Sequence, residues 1–409
     1  ESDLGFFRRL GDKEKNQPNF KAAGGGMALN KTSLEPERDR GHFWQFSSKI
    51  TTPLDLGLAH DVKAGIMVRP VDRFRRVTKL EVNAAGKVTN KTEPDDIFSM
   101  GEDYFAWFVQ DTVSITDRFS LTPGVRIEHV LLDARSGAGE VCQDTTTNVN
   151  PSLHALYRMT NHWSVHGAYS RTVNRPAFDQ LAPFVMDKTT YWLEGNPALQ
   201  PARSDNFDLG TSYSEQALLL GLNLFHKRIQ GVIEDVNTGQ TLGGKDVYRY
   251  ENAGNGYVQG IELEQRLDLE HLRQALKGLE IWANQTFLRS RLEDPNGWKR
   301  PFKNQPDFIA NVGANFTLPN TKTTFTIAAK FRDELIDHTS RTQEKTELAR
   351  WTLDARVKHK LSKNAELYAE ASNVLDTGQE RITTSNGVVT EREDAFPGRA
   401  FFVGLKVMF

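Results

Sequence analysis

The chain has 409 residues, 38% of them hydrophobic, and a mean hydropathy of −0.53. Its 51 basic and 53 acidic side chains nearly cancel, which gives no electrostatic reason to expect nucleic acid as a partner, and the single Cys142 excludes an internal disulfide framework or a thiolate metal cluster. No apolar run of about eighteen residues occurs, so a helical membrane protein is excluded too.

In chain order, residues 1–41 are poorly legible: Gly24, Gly25 and Gly26 interrupt them, and one strand followed by an outer loop is expected there. Glu1 is not followed by a basic segment and an apolar core, so any signal peptide is expected to lie outside this sequence. From residue 42 to residue 409 a period of two takes over. Val62, Ala64, Ile66 and Val68 alternate with polar residues and pair back to the aromatic stretch Phe43 to Phe46. Phe105, Trp107 and Val109 lead through Thr116-Asp117-Arg118 into Leu121, Val125 and Ile127. Leu153, Ala155, Tyr157 and Met159 turn at Thr160-Asn161-His162 into Trp163, Val165, Gly167 and Tyr169. Phe207 and Leu209 turn at Glu215-Gln216, and the connection over residues 270–278 has room for a helical turn. Two further hairpins close at Pro319-Asn320 and Lys363-Asn364, and the last strand carries Phe401, Val403, Leu405, Val407 and Phe409 on one face.

Such strands bury no second layer of their own, yet one face of each is apolar and the other wet. That is the pattern of a wall with lipid outside and a polar lumen inside. Short turns alternate with long segments over residues 70–102, 132–148, 174–203, 231–246, 293–305, 334–345 and 377–397, the asymmetry between the two ends of an outer-membrane barrel. The expectation is an all-β, transmembrane, antiparallel up-and-down β-barrel: fifteen strands from His42 onward and one before it, about sixteen in all. A soluble sandwich or propeller also alternates, but no repeat of about 40 to 45 residues marks blades.

The stretches Tyr169-Ser-Arg-Thr-Val-Asn-Arg-Pro-Ala-Phe178 and on to residue 184, Gly195-Asn-Pro-Ala-Leu-Gln-Pro201 and on to Leu209, Phe108-Val-Gln-Asp111, Leu121-Thr-Pro-Gly-Val-Arg-Ile-Glu128, Asn252-Ala-Gly-Asn-Gly-Tyr-Val-Gln-Gly260 and on to Glu264, and Ala371-Ser-Asn-Val-Leu-Asp376 together resemble the barrel domain of TonB-dependent outer-membrane receptors. The resemblance implies a barrel of about 22 strands filled by a plug domain. No plug-like stretch precedes the strands here, so this sequence looks like the C-terminal sixteen strands or a shortened barrel. Most of these motifs read as turn and wall chemistry. Implied partners are outer-membrane lipid and lipopolysaccharide, a small-molecule chelate, and the TonB complex if a plug lies upstream; the implied location is the outer membrane of a Gram-negative bacterium.

No enzyme is expected, because Ser164 and His166 lack a nucleophile elbow, and no metal site or cofactor either, because His154, His162 and His166 have strand or turn spacing. Glu262, Glu264, Arg266 and Asp268 share one strand face and read as a solvated lumen wall. The candidates for ligand contact are Arg171, Arg175, Tyr191, Trp192, Tyr248, Arg249, Tyr250, Lys330, Arg332, His338 and Arg341, where aromatic faces and guanidinium groups suit an anionic chelate such as a ferric siderophore. The same arginines and aromatics also suit lipopolysaccharide phosphates, lumen acids and the interfacial girdle. The functional expectation is an outer-membrane receptor importing a scarce ligand through TonB; the alternatives are a plugless passive channel, a structural barrel serving as a binding platform, and an outer-membrane enzyme.

Overall fold

The structure, a computed structural model, describes residues 2–23, 26–139, 141–182, 185–188 and 190–407. Phe409, expected to end the last apolar row, and Gly24, Gly25 and Phe184 lie outside them. Sixteen long strands make one antiparallel ladder in which each pairs with its neighbours in sequence. They are β1 (Ser2–Ala23), β2 (Gly26–Asp55), β3 (Ala59–Val77), β4 (Ile97–Ser114), β5 (Phe119–Ser136), β6 (Val141–Arg158), β7 (Trp163–Asn174) and β8 (Ala202–Ser214). The wall continues with β9 (Leu218–Leu242), β10 (Lys245–Asp268), β11 (Leu279–Glu293), β12 (Phe308–Leu318), β13 (Thr323–Arg332), β14 (Arg350–Lys360), β15 (Ala365–Ser372) and β16 (Ala400–Val407). Among the described residues β1 pairs only with β2 and β16 only with β15.

Alternation sends every second side chain outward, and register aligns these into rows. Ile66, Trp107, Ile127 and Val149 stand opposite one another across β3–β6 and are 42%, 47%, 37% and 53% exposed. Leu209, Leu224, Ile261 and Phe287 form a second exposed row across β8–β11. Large apolar groups so placed have lipid rather than a protein layer to meet. Aromatic residues bound this belt. At the long-loop end Phe287, Phe308, Phe331 and Trp351 stack in sequence across β11–β14, with ring centroids 4.7, 5.8 and 4.8 Å apart. At the short-turn end Tyr157 and Trp163 are exposed on the same face, and the Trp163 indole N–H donates to Thr211 at 2.7 Å.

The short connections are 56–58, 115–118, 159–162, 215–217, 269–278, 319–322 and 361–364. The longest of them, 269–278, holds two single-turn 3-10 helices, Leu269–His271 and Gln274–Leu276, in line with the helical turn expected there. At the opposite end the structure differs from the expectation of long loops. Residues 26–41 pair with β1 on one side, and on the other residues 31–34 pair with Leu80–Asn83 and residues 37–41 with β3, while β3, β4, β5, β6, β9 and β10 run on as ladders well past the apolar belt. Residues 231–246, read as loop, turn only at Gly243 and Gly244, whose φ values of +58° and +81° suit a two-residue hairpin turn. Extensions wet on both faces need no apolar alternation, so composition reads them as loop although their backbone bonds form normally. A second sheet of four strands, Leu335–His338, Gln343–Glu347, Gln379–Ser385 and Val388–Ala395, joins the two connections flanking β14 and β15.

The main buried core sits at this end. Residues 175–182, 185–188 and 190–201 fold inward, and Phe178, Leu181, Ala182 and Leu199 pack on Phe98, Met100 and Ala134 of the inner face. Arg73 lies over the Phe178 ring at 4.2 Å, and Arg75 donates to Asp179 at 3.0 Å.

Candidate ligand-binding site at the long-loop end

The inward-folded segment is tied to the wall by side chains from several of the quoted motifs. At its start, Arg175 bonds Glu128 at 2.5 Å, and Glu128 also receives Arg126 Nε at 2.8 Å and the Tyr104 hydroxyl at 2.7 Å. The Tyr104 ring carries Arg69 at 5.0 Å and Arg175 at 5.1 Å from its centroid. Two guanidiniums and a phenol thus converge on one inward carboxylate, because Ile127 on the same strand points out and Glu128 therefore points in. Farther along, Asn196 donates to the Tyr250 carbonyl at 2.9 Å and to Glu251 at 3.1 Å. Asn252 donates to the carbonyls of Gln200 and Gly231, both at 2.9 Å, and accepts from the Gln200 N–H. A Cβ at Gly195 would lie 1.8 Å from the Ala182 carbonyl oxygen, so only glycine allows this approach. The motifs are architectural, and what they build is an inward strap. Cys142 of β6 meets it: its thiol donates to the Pro197 carbonyl at 3.1 Å, and burial with nearby Asp144 pushes its pKa up.

Beside the strap three tyrosines gather. Trp192–Glu194 runs parallel to β10, aligning Leu193 with Tyr248. Tyr191 meets Tyr248 edge-on at 4.9 Å, and Tyr250 packs against the buried core. Burial raises the Tyr191 hydroxyl pKa, and Asp235, Tyr250, Tyr248 and Asp337 add to the shift. Lys303 brings a cation to this group, bonding both the carbonyl and the carboxylate of Asp235 at 2.8 and 2.9 Å. Arg300 and Glu234 form an ion pair at the same level, with side chains only 7% and 9% exposed. The Asp337 carboxyl, on the four-stranded sheet, is pushed up by burial, and its Oδ1 has no hydrogen-bond partner among the described residues. The arrangement sets flat aromatic faces, phenol groups and mixed charge side by side at the long-loop end.

The other candidates separate by face. Arg171 points outward with Tyr169 and Phe207, whose rings are 5.2 Å apart, and its Nε bonds Asp205 at 2.9 Å. Arg175 points inward, as do Lys330, which pairs with Asp354 at 2.5 Å, and Arg332, which pairs with Glu347 at 2.6 Å. Trp192 flanks the tyrosines and donates to the Leu242 carbonyl at 2.8 Å, whereas Arg249 is half-exposed and paired with Glu251 at 2.5 Å. His338 faces Glu344 at 3.4 Å on the four-stranded sheet, and Arg341 lies in the turn between its first two strands. Sequence reading missed Tyr104, Arg126, Glu128, Asp235, Arg300, Lys303 and Asp337. Apart from Arg126 and Glu128, which are two residues apart on β5, their partners come from separate strands, and spacing within one strand does not reveal that; the basic run Arg69, Arg73 and Arg75 on one face was the available signal.

A family model described as "TonB dependent receptor-like, beta-barrel" matches residues 4–374. The chain belongs to the TonB-dependent receptor family. These receptors reside in the Gram-negative outer membrane and are transporters, not enzymes. Among curated relatives of this receptor barrel, the ferric enterobactin receptor of Pseudomonas aeruginosa is 26% identical over 196 residues, 44% of this chain and 24% of that protein. The iron-regulated outer membrane virulence protein of Vibrio cholerae is 21% identical over 385 residues, 90% of this chain and 54% of that protein. The chain thus spans at most about half the length of these relatives. Of solved structures, the unliganded ferric citrate transporter FecA superposes with a TM-score of 0.71 at 16% identity, covering 99% of this chain and 58% of that one. The ferric enterobactin receptor PfeA of Pseudomonas aeruginosa, a Q482A mutant in complex with enterobactin, gives 0.63 at 17% identity, covering 98% and 62%. At these identities the likeness shows the barrel fold and not the ligand.

Proposed function

We propose that this receptor barrel takes up a scarce iron chelate, a ferric siderophore, with the energy supplied through TonB. The observation that carries the reading is the tyrosine cluster of Tyr191, Tyr248 and Tyr250 beside Lys303, inward-facing at the long-loop end, where a ligand from outside arrives first. Aromatic faces suit the catecholate arms of such chelates, and Lys303, by pairing with Asp235, keeps that carboxylate from presenting an unpaired negative charge to them. Similarity to iron receptors points the same way without fixing the chelate.

Titration of the protein with ferric enterobactin and with ferric citrate, followed by quenching of tryptophan fluorescence, tests this. Trp192 reports directly, since it sits beside Tyr191. Saturable quenching by one chelate is expected, weakened about ten-fold or more by the double substitution Tyr191→Ala with Tyr250→Ala. Quenching by neither, together with a large ohmic conductance in a planar bilayer, would support a passive channel instead.

A further inference from the structure

The inner face of β3–β6 carries more positive charge than its own acids neutralise. Arg69, Arg126 and Arg175 gather round Tyr104, whose hydroxyl meets Arg126 at 2.9 Å and whose ring carries the other two. Their carboxylate partners are Glu102, 3.4 Å from Arg69, and Glu128, which takes both Arg126 and Arg175. Three guanidiniums therefore share two carboxylates. Donors are left over as well. The Nε atoms of Arg69 and Arg175 are shielded from solvent and meet no acceptor among the described residues. Nor does Nδ2 of Asn148, a residue only 4% exposed that stands directly opposite Glu128 in the β5–β6 register. Asn150, opposite Arg126 and 9% exposed, leaves its Oδ1 unpartnered, and turning that amide end for end offers a further N–H.

Buried donors in a folded protein are matched by an acceptor. A water molecule would accept from them yet leave the surplus guanidinium uncompensated, whereas an anion answers both needs. Size narrows the choice, because atoms closed to solvent admit an occupant not much larger than a water. We propose that a chloride ion binds the inner wall beside Glu128, held by Arg175 and Asn148, with Arg69 adding to the positive field. Arg175 opens the inward strap and Asn148 belongs to β6, so the ion fastens the start of the strap to that strand. Tyrosines 191, 248 and 250 take no part, and the site stands whatever ligand the barrel carries.

Diffraction from crystals of the receptor purified from outer membranes and soaked in sodium bromide locates a halide by its anomalous signal. One bromide within hydrogen-bond reach of Arg175 Nε and Asn148 Nδ2 is expected. Melting in sodium chloride against sodium gluconate at equal ionic strength gives a second readout, since an ion that binds only the folded state raises the melting temperature. The parent should melt higher in chloride. Asn148→Asp puts a carboxylate where the ion sits and is expected to abolish that difference. Asn148→Leu, of similar volume, should need about ten-fold or more chloride for the same rise. Asn284→Asp changes an inward amide of β11 in the same way and should keep the difference. The proposal is overturned if no bromide lies there, or if a carboxylate of another segment fills the place. It is overturned equally if bromide appears as an adventitious ion only, with no chloride effect on melting, or if Asn148→Asp stays as chloride-dependent as the parent.

Discussion

The two ends of this wall are held together by different physics. Between the aromatic rows, strands are joined by an uninterrupted backbone ladder, and side chains need only be apolar outside and wettable inside. Beyond the belt, water reaches both faces, and the structure relies on specific contacts: the Phe178 core, the Arg175–Glu128–Tyr104 network and the Arg300–Glu234 pair. The belt end therefore tolerates exchange of one apolar residue for another, while the loop end depends on individual partners. That difference also separates scaffold from the proposed recognition site, because the tyrosine cluster stands on the second kind of structure.

Removing one partner from a buried pair is the strongest way to break the comparison. Arg300→Ala leaves Glu234 buried and uncompensated and is expected to cost about 3–5 kcal/mol of local stability. Native-state hydrogen exchange should show it as faster exchange at residues 229–242, with the belt strands unaffected. Replacing both partners with apolar residues of similar volume should restore most of the protection; if it does not, the pair is holding more than its own charge. The corresponding test of the belt is Ile327→Arg, which puts a charge on the lipid face at mid-strand and is expected to cost about 2–4 kcal/mol in reversible unfolding from lipid. One strand away Asn311 faces inward and bonds Asn284 at 2.8 Å, so Asn311→Arg should cost about 1 kcal/mol. Equal costs at the two positions would mean that the outward rows do not face lipid.

The belt was legible in the sequence because lipid on one side and water on the other impose a period of two, and sixteen strands followed from it. Residues 31–38 escaped for the opposite reason. Lys31, Thr32, Ser33 and Leu34 pair with Leu80–Asn83 in water, where neither face demands a pattern. Asn373 shows a third case: the motif around it was visible, but its work was not. Its backbone N–H donates to Asp354, and its side chain donates to the carbonyls of Thr377 and Gly398, closing the turn after β15. For the proposed binding residues, Tyr248 and Tyr250 announced themselves by proximity, whereas Glu128 and Tyr104 meet across strands. The outward position of Arg171 was readable in principle, since it shares the alternation of Tyr169 and faces Asp205, which shares that of Phe207.

The smallest expected effect lies in the four-stranded sheet, where two carboxyls respond to pH with opposite signs. Burial works to raise the Glu347 pKa, but the hydrogen bond and charge of Arg332, with Gln379 and Arg381 adding to them, leave it below its ordinary 4.5. A lowered folded pKa stabilises the sheet fully above 4.5, and that contribution is lost as pH falls toward the lowered value. Asp337 is shifted the other way, raised from 3.8 mainly by burial, with Lys303 opposing and Asp235 assisting. Its folded form holds the proton more tightly than its unfolded form does, so stability falls as pH rises through the window above 3.8. Acidification should therefore tighten the sheet through Asp337 and loosen it through Glu347. Hydrogen exchange at residues 343–347 and 379–385, corrected for intrinsic rates, should read a rise in protection from the first and a fall from the second. Asp337→Asn should abolish the rise while keeping the fall, and Glu347→Gln should abolish the fall and weaken the sheet at neutral pH. A protection profile unchanged by either substitution would show that the belt, and not these pairs, sets the stability of the loop end.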